Sequence, residues 1–189
     1  MKLKGNRIII RSLNFNDADD YYEYGRNPNV GPNAGWKPFP NKEISNRLLS
    51  SHILSKETFA IALKDSNKLI GSISIYNQAI RKYKKVKSLG FSLNYDYWNQ
   101  GYMTEAVKLV LDYLFNYTDC KIVEVGHHVD NYNSKRVIEK CGFNYDGTFN
   151  SYKVLYDGRI IDASFYSITK EEYERKKEDE ERIKFEVWF

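Results

Sequence analysis

The stretch from Leu89 to Phe115, LGFSLNYDYWNQGYMTEAVKLVLDYLF, constrains the fold more than any other part of the chain. Its second half sets Met103, Ala106, Val107, Val110, Leu111, Leu114 and Phe115 on one unbroken helical face, spaced by threes and fours. Its first half, ending at Leu93, reads as a strand. Between the two, Asn99-Gln100-Gly101-Tyr102 delivers the chain into the first turn of the helix. The leading N–H groups of a helix have no partner inside it, and the helix dipole adds positive charge there. A glycine just ahead lets a ligand approach the backbone closely. Strand, glycine loop and helix start together suit a phosphate, although a turn that needs glycine only for its dihedrals has the same sequence.

The remaining segments alternate between the two periodicities. Asn6 to Leu13 reads as a strand rich in β-branched residues, and a helix is expected from about Asn16, ended by Asn27-Pro28-Asn29. Asn29 to Asn41 reads as an ordered loop that contains Trp36 and Phe39. A second helix should run from Asn41 or Lys42 to about Leu54. Thr58 to Lys64 and Lys68 to Tyr76 form a hairpin across Asp65-Ser66-Asn67. After the central helix come a strand at Lys121 to His128, a short helix at Asp130 to Lys140 stopped by Gly142, and a hairpin of Phe143–Leu155 with Arg159–Ile168. This order predicts an α/β fold: a mixed, mostly antiparallel sheet of about seven strands with helices on both faces.

A length of 189 residues fits one domain with a substantial core. The division expected is a domain over residues 1–170, followed by a charged helix and apolar tail over 171–189. A net charge of +4 suits an anionic cosubstrate but is no nucleic-acid signature. The Lys-rich strip Ile80 to Lys87 reads as a solvated hairpin tip, and no base-stacking motif accompanies it. Two cysteines without metal-ligand spacing, no leader peptide and no apolar run near ~18 residues lead us to expect a cytoplasmic protein, with no membrane partner.

The segment GFSLNYDYWNQGYMTEAV resembles the coenzyme-A-binding segment of the GNAT superfamily of N-acetyltransferases. It is most similar to the branch of RimJ and RimL, the N-terminal acetyltransferases of ribosomal proteins. Gly90, Phe91, Leu93, Tyr97, Trp98, Gly101, Tyr102, Met103, Thr104, Glu105 and Ala106 fit that branch's pattern, whereas Asn99 stands where the branch has its first glycine. A second segment, Val129 to Phe143, resembles the branch pattern N-x-x-S-x-[RK]-[VL]-[LI]-E-K-x-G-F. The resemblance implies the GNAT fold and acetyl-CoA as cosubstrate, with no metal. The implied acceptor is a primary amine on a protein N-terminus or a small molecule.

The resemblance also assigns roles. Leu93 and Asn94 would offer the backbone donor for the reacting carbonyl, and Gln100, Gly101, Tyr102, Met103 and Thr104 would hold the pyrophosphate. Asn131 would cap its helix and bond the pantetheine arm, Ser134 would face the sulfur, and Trp36 and Phe39 would line the acceptor side. Many GNAT enzymes carry a proton-donating tyrosine where this chain has Ile138, so Ser134 or a water would take that role here. Base candidates near the end of the fifth strand are His127, His128, Glu124 and Asp130. Strand alternation allows only one of the two histidines to face the cleft. Gly101→Val is expected to weaken cosubstrate binding strongly while leaving folding largely intact.

A GNAT-fold module that binds CoA or a peptide without turnover is the alternative, supported by Asn99 and Ile138. The tail places Ile183, Phe185, Val187, Trp188 and Phe189 after the charged run Arg175–Arg182. Their alternation suggests an extended arm docked on this domain or on a second copy, in a monomer or a homodimer.

Overall fold

In the computed structural model, residues 1–82 and 84–186 are described, apart from the side chains of residues 180, 181 and 183–186. Eight strands form one sheet in the order β1-β2-β3-β4-β5-β6-β8-β7. They are β1 (Lys2–Lys4), β2 (Ile8–Ser12), β3 (Thr58–Leu63), β4 (Leu69–Tyr76), β5 (Val86–Leu93), β6 (Ile122–His128), β7 (Asn144–Val154) and β8 (Ile160–Thr169). Every neighbouring pair is antiparallel except β5–β6. The strand missing from the sequence reading is β1: three residues are too short to show alternation, and only pairing with β2 makes them a strand.

Side-chain alternation sorts the helices onto two faces. Helix α4 (Tyr102–Tyr117) buries all seven residues of the apolar stripe. It packs with Ile138 of α5 (Tyr132–Lys140) over Ile61, Ile73, Leu89, Leu93, Val123 and Val125. The opposite face is covered by α1 (Ala18–Gly25) and α3 (Lys42–Ser55), where Tyr21, Tyr24 and Leu49 pack on Ala60 and Leu69. Asn41 caps α3 by accepting the Ile44 N–H at 3.0 Å. A capping box on Asn14 and Asp17 starts the turn ahead of α1, and Arg11 grips the Asp17 carboxylate with both terminal nitrogens.

Two segments depart from expectation. The loop expected after α1 contains a short helix, α2 (Gly31–Ala34), closed by Gly35 at φ 82°. The chain from Lys170 to Glu186 is helical, α6, so no extended arm forms across Ile183 and Phe185. Docking of the apolar tail concerns side chains and residues outside those described. At its start α6 meets α4: the Tyr173 ring lies 5.2 Å from Phe115, and its hydroxyl donates to Asp112 at 3.0 Å. Within the Lys-rich strip, Arg81 turns inward to Glu124 at 2.7 Å and Asp146 at 3.1 Å. Among the described residues no helix is long and apolar enough to cross a membrane.

Candidate functional site

β5 and β6 run parallel but pair only as far as Leu89↔Val125. Beyond that point β5 stays with β4 to Leu93↔Gly71, and β6 stays with β8 to His128↔Ala163. A gap opens between them. The Asn94 N–H donates to the Ile70 carbonyl at 2.7 Å. An antiparallel ladder alternates hydrogen-bonded and open positions, so Ser92 also faces β4, whereas Phe91 and Leu93 turn their N–H groups toward the gap. Of the expected pair, Leu93 therefore keeps a donor facing the gap. Asn94 does not: its N–H is taken and its side chain bonds Glu23 at 2.9 Å.

The gap belongs to a cleft that reaches the start of α4, the first turn of α5 and helix α2. Gly101, at φ 81°, is the residue before α4, and Asn99, at φ 59°, is also left-handed. Asparagine is among the few residues that tolerate this region. The backbone path is thus kept although Asn99 replaces a glycine. A side chain at Gly101 would meet only Arg7 Nη2, at 3.4 Å, so the dihedral rather than crowding requires glycine. A valine there is strained by about 1 kcal/mol or more, so its effect on binding would be mixed with a loss of stability.

Arg7 braces this helix start. Its N–H and its Nε donate to the two Glu105 oxygens at 2.9 and 3.0 Å, and Nη1 donates to the Gln100 carbonyl at 2.8 Å. Its guanidinium also lies 4.3 Å from the centre of the Tyr102 ring. Gln100 turns its side chain to the Asp96 carbonyl and does not line the cleft, contrary to expectation, whereas Gly101, Tyr102, Met103 and Thr104 do. Burial alone would push the Glu105 carboxyl up, but the N–H and guanidinium of Arg7 outweigh it and hold the group below its usual range. A depressed carboxyl contributes stability above its unfolded pKa and loses it as pH falls through the folded one. Glu105→Gln is therefore expected to cost about 1–2 kcal/mol at pH 7 and to flatten the acid limb of stability below pH 4.5. Thermal melts of both proteins from pH 3 to 7 check this.

Asn131 caps α5, accepting the Ser134 N–H at 3.1 Å, and its amide donates to the Asn33 carbonyl of α2 at 2.8 Å. It thereby ties the acceptor-side helix to the cleft wall. Ser134 lines the cleft one turn into α5. Ile138 is in the core at 1% exposure. Burial pushes the Cys141 thiol up to about 12, which keeps it protonated and inert at neutral pH.

Neither histidine lines this cleft. His127 shares the α4 face with Val123 and Val125; it is buried, with Nδ1 at 2.7 Å from the His128 carbonyl and Nε2 at 3.3 Å from the Tyr166 hydroxyl. With both nitrogens engaged, it is a poor base. His128 points to the opposite face, beside Gly35, where a methyl group would stand 3.1 Å from its ring. An adjoining recess is lined by His128, Asp130, Ile161 and Asp162. Burial, reinforced by Lys153, pulls the His128 pKa below 6.5. Glu124 is excluded as a base because Arg81 and the N–H groups of Ile80 and Arg81 occupy it.

The aromatic pair of the acceptor loop is also corrected. Phe39 packs against Gly25 and Tyr21 in the core, and Trp36 stacks on it at 5.0 Å. Neither lines the cleft; Val30, Asn33 and Ala34 do so instead. Sequence reading missed Arg136 and Lys140, the two charged side chains among the cleft's lining residues. Their i, i+4 spacing on the helix that carries Ser134 was the available signal.

Comparison with known proteins shows the family. The family described as Acetyltransferase (GNAT) domain matches residues 7–144. The Bacillus subtilis (strain 168) protein named "Probable N-acetyltransferase YjcK" is 37% identical over 143 residues, covering 75% of this chain and 71% of its own. A GNAT-family acetyltransferase of Bacillus anthracis superposes with a TM-score of 0.83 at 24% identity, over 90% of this chain and 99% of that one. Ribosomal-protein-S5-alanine acetyltransferase from Vibrio fischeri gives 0.72 at 23% identity, over 92% and 98%. Spermidine N-acetyltransferase from Vibrio cholerae, in complex with CoA and spermine, gives 0.73 at 18% identity, over 88% and 98%. A helix start and a parted strand pair opening on one cleft, with the family's match running across both, make this chain a member of the GNAT family of N-acetyltransferases.

Proposed function

We propose that the protein acetylates a primary amine directly from acetyl-CoA, with a protein N-terminal amine as the first acceptor class to test and a small amine as the second. The observation that carries this reading is the convergence of the Leu93 N–H, the start of α4 and Ser134 on one cleft. The donor set fits the cosubstrate. The first-turn amides of α4 suit a pyrophosphate, and Arg136 and Lys140 add two cations on the same wall. When bound, acetyl-CoA supplies the activated acetyl group as a thioester.

The chain's own residues do the rest. The Leu93 N–H donates to the carbonyl oxygen as charge builds on it. Ser134 Oγ–H donates to the departing sulfur, a task Ile138 cannot perform. His128, outside the cleft lining, accepts the proton of the incoming ammonium through solvent. It is neutral near pH 7, lies on the face opposite α4, and has Asp130 and Asp162 beside it to attract a cation.

Release of free thiol from acetyl-CoA, measured against a panel of N-terminal peptides, polyamines and small amines, tests the reading; no turnover with any acceptor sinks it. Ser134→Ala is expected to lower kcat about tenfold or more while acetyl-CoA affinity changes little. Equal activity of the variant would pass the proton to water.

A further inference from the structure

The donor at Leu93 needs its strand held open, and one side chain is placed to do that. After Leu93 the chain makes a single 3-10 turn, Tyr95–Tyr97, capped by the Asn94 side chain. This turn folds Trp98 back so that its indole Nε1–H donates to the Leu93 carbonyl at 2.8 Å. At an open position of an antiparallel ladder, the N–H and C=O of one residue leave the strand on the same side. The Leu93 carbonyl therefore faces the gap that its N–H faces. Left alone it would seek a donor there, either β6 or water, because a buried unpaired carbonyl is costly. Trp98 satisfies it from within β5's own extension.

The peptide group after Leu93 is then fixed at both ends, by Trp98 on its oxygen and by Ile70 on the Asn94 N–H. The indole itself cannot drift, since it packs against the clusters on both faces of the sheet and against Tyr95 at 5.0 Å.

We infer that Trp98 is a positioning residue: its indole N–H occupies the Leu93 carbonyl and thereby aims the Leu93 N–H at the reacting carbonyl oxygen. The inference rests on the proposed placement of the acetyl group at Leu93, and one experiment separates the two. The carbonyl stretch of ¹³C-labelled acetyl-CoA is recorded by difference infrared spectroscopy, free and bound to the wild-type protein and to Trp98→Phe. A hydrogen bond from Leu93 lowers the band in the wild type. In the variant the band should move back toward its solution position, and kcat should fall about tenfold. CoA affinity, which reads the phosphate end, should change by less than about twofold. Benzothienylalanine incorporated at 98 alone, isosteric with tryptophan but lacking the N–H, gives the same test without loss of packing. A shifted band equal in wild type and variant overturns the role of Trp98 and leaves the acetyl placement standing. An unshifted band in the wild type overturns the placement and the inference with it.

Discussion

Reversing both cleft cations, Arg136→Glu with Lys140→Glu, is expected to weaken acetyl-CoA binding by about 100-fold. Each charged hydrogen bond to a phosphate contributes about 1.5–3 kcal/mol, so removing two accounts for at least that factor. Both side chains are exposed, and neither forms an ion pair or hydrogen bond among the described residues. Folding should therefore be little affected, in contrast to Gly101→Val, where the left-handed backbone confuses binding with strain. Titration calorimetry at two ionic strengths is the measurement: the wild type should lose affinity with salt more steeply than the double variant. Unchanged affinity would remove the phosphates from this wall of the cleft.

His128→Ala is expected to lower kcat/KM by about 100-fold or more, the usual contribution of a positioned base. The pH profile separates this from a structural effect. Because burial holds the His128 pKa below 6.5, the imidazole is the free base at neutral pH, and protonation begins only as the solution becomes acidic. The wild-type rate should therefore be flat near neutrality on this limb and fall below pH 6.5. The variant should lose that limb. The same depressed pKa makes folding less favourable below pH 6.5, since the unfolded chain takes up the proton first. His127→Ala should instead lower stability and leave the limb in place, because His127 is stacked on Tyr166 and bonded at both nitrogens. An unchanged limb in the His128 variant would dismiss it as the base.

What the sequence determined by itself was local and periodic. The stripe from Met103 to Phe115 names every buried residue of α4 because a helix that must bury one face repeats it every three or four positions. Asn131 and Asn41 announce the starts of α5 and α3 because a cap is a contact between near neighbours in the chain. The glycine loop was legible for the same reason, as a turn delivering the chain into the helix, whereas the left-handed backbone at Asn99 is visible only in the structure.

The tertiary structure decided everything that depends on which strand neighbours which. Nothing local to Leu93 and Asn94 says that one N–H faces β4 and the other faces open space; that follows from the register Leu93↔Gly71 and from the end of pairing at Val125. Alternation separates His127 from His128, but only the packing of α2 and Tyr166 determines which is the enclosed one. The family resemblance placed Phe39 on the acceptor side, and the close approach of Gly25 draws it into the core instead. Glu105 is held by Arg7, 98 positions earlier in the chain. Long-range pairing of this kind leaves no periodic trace, because its partners are fixed by the sheet order and not by their separation in sequence.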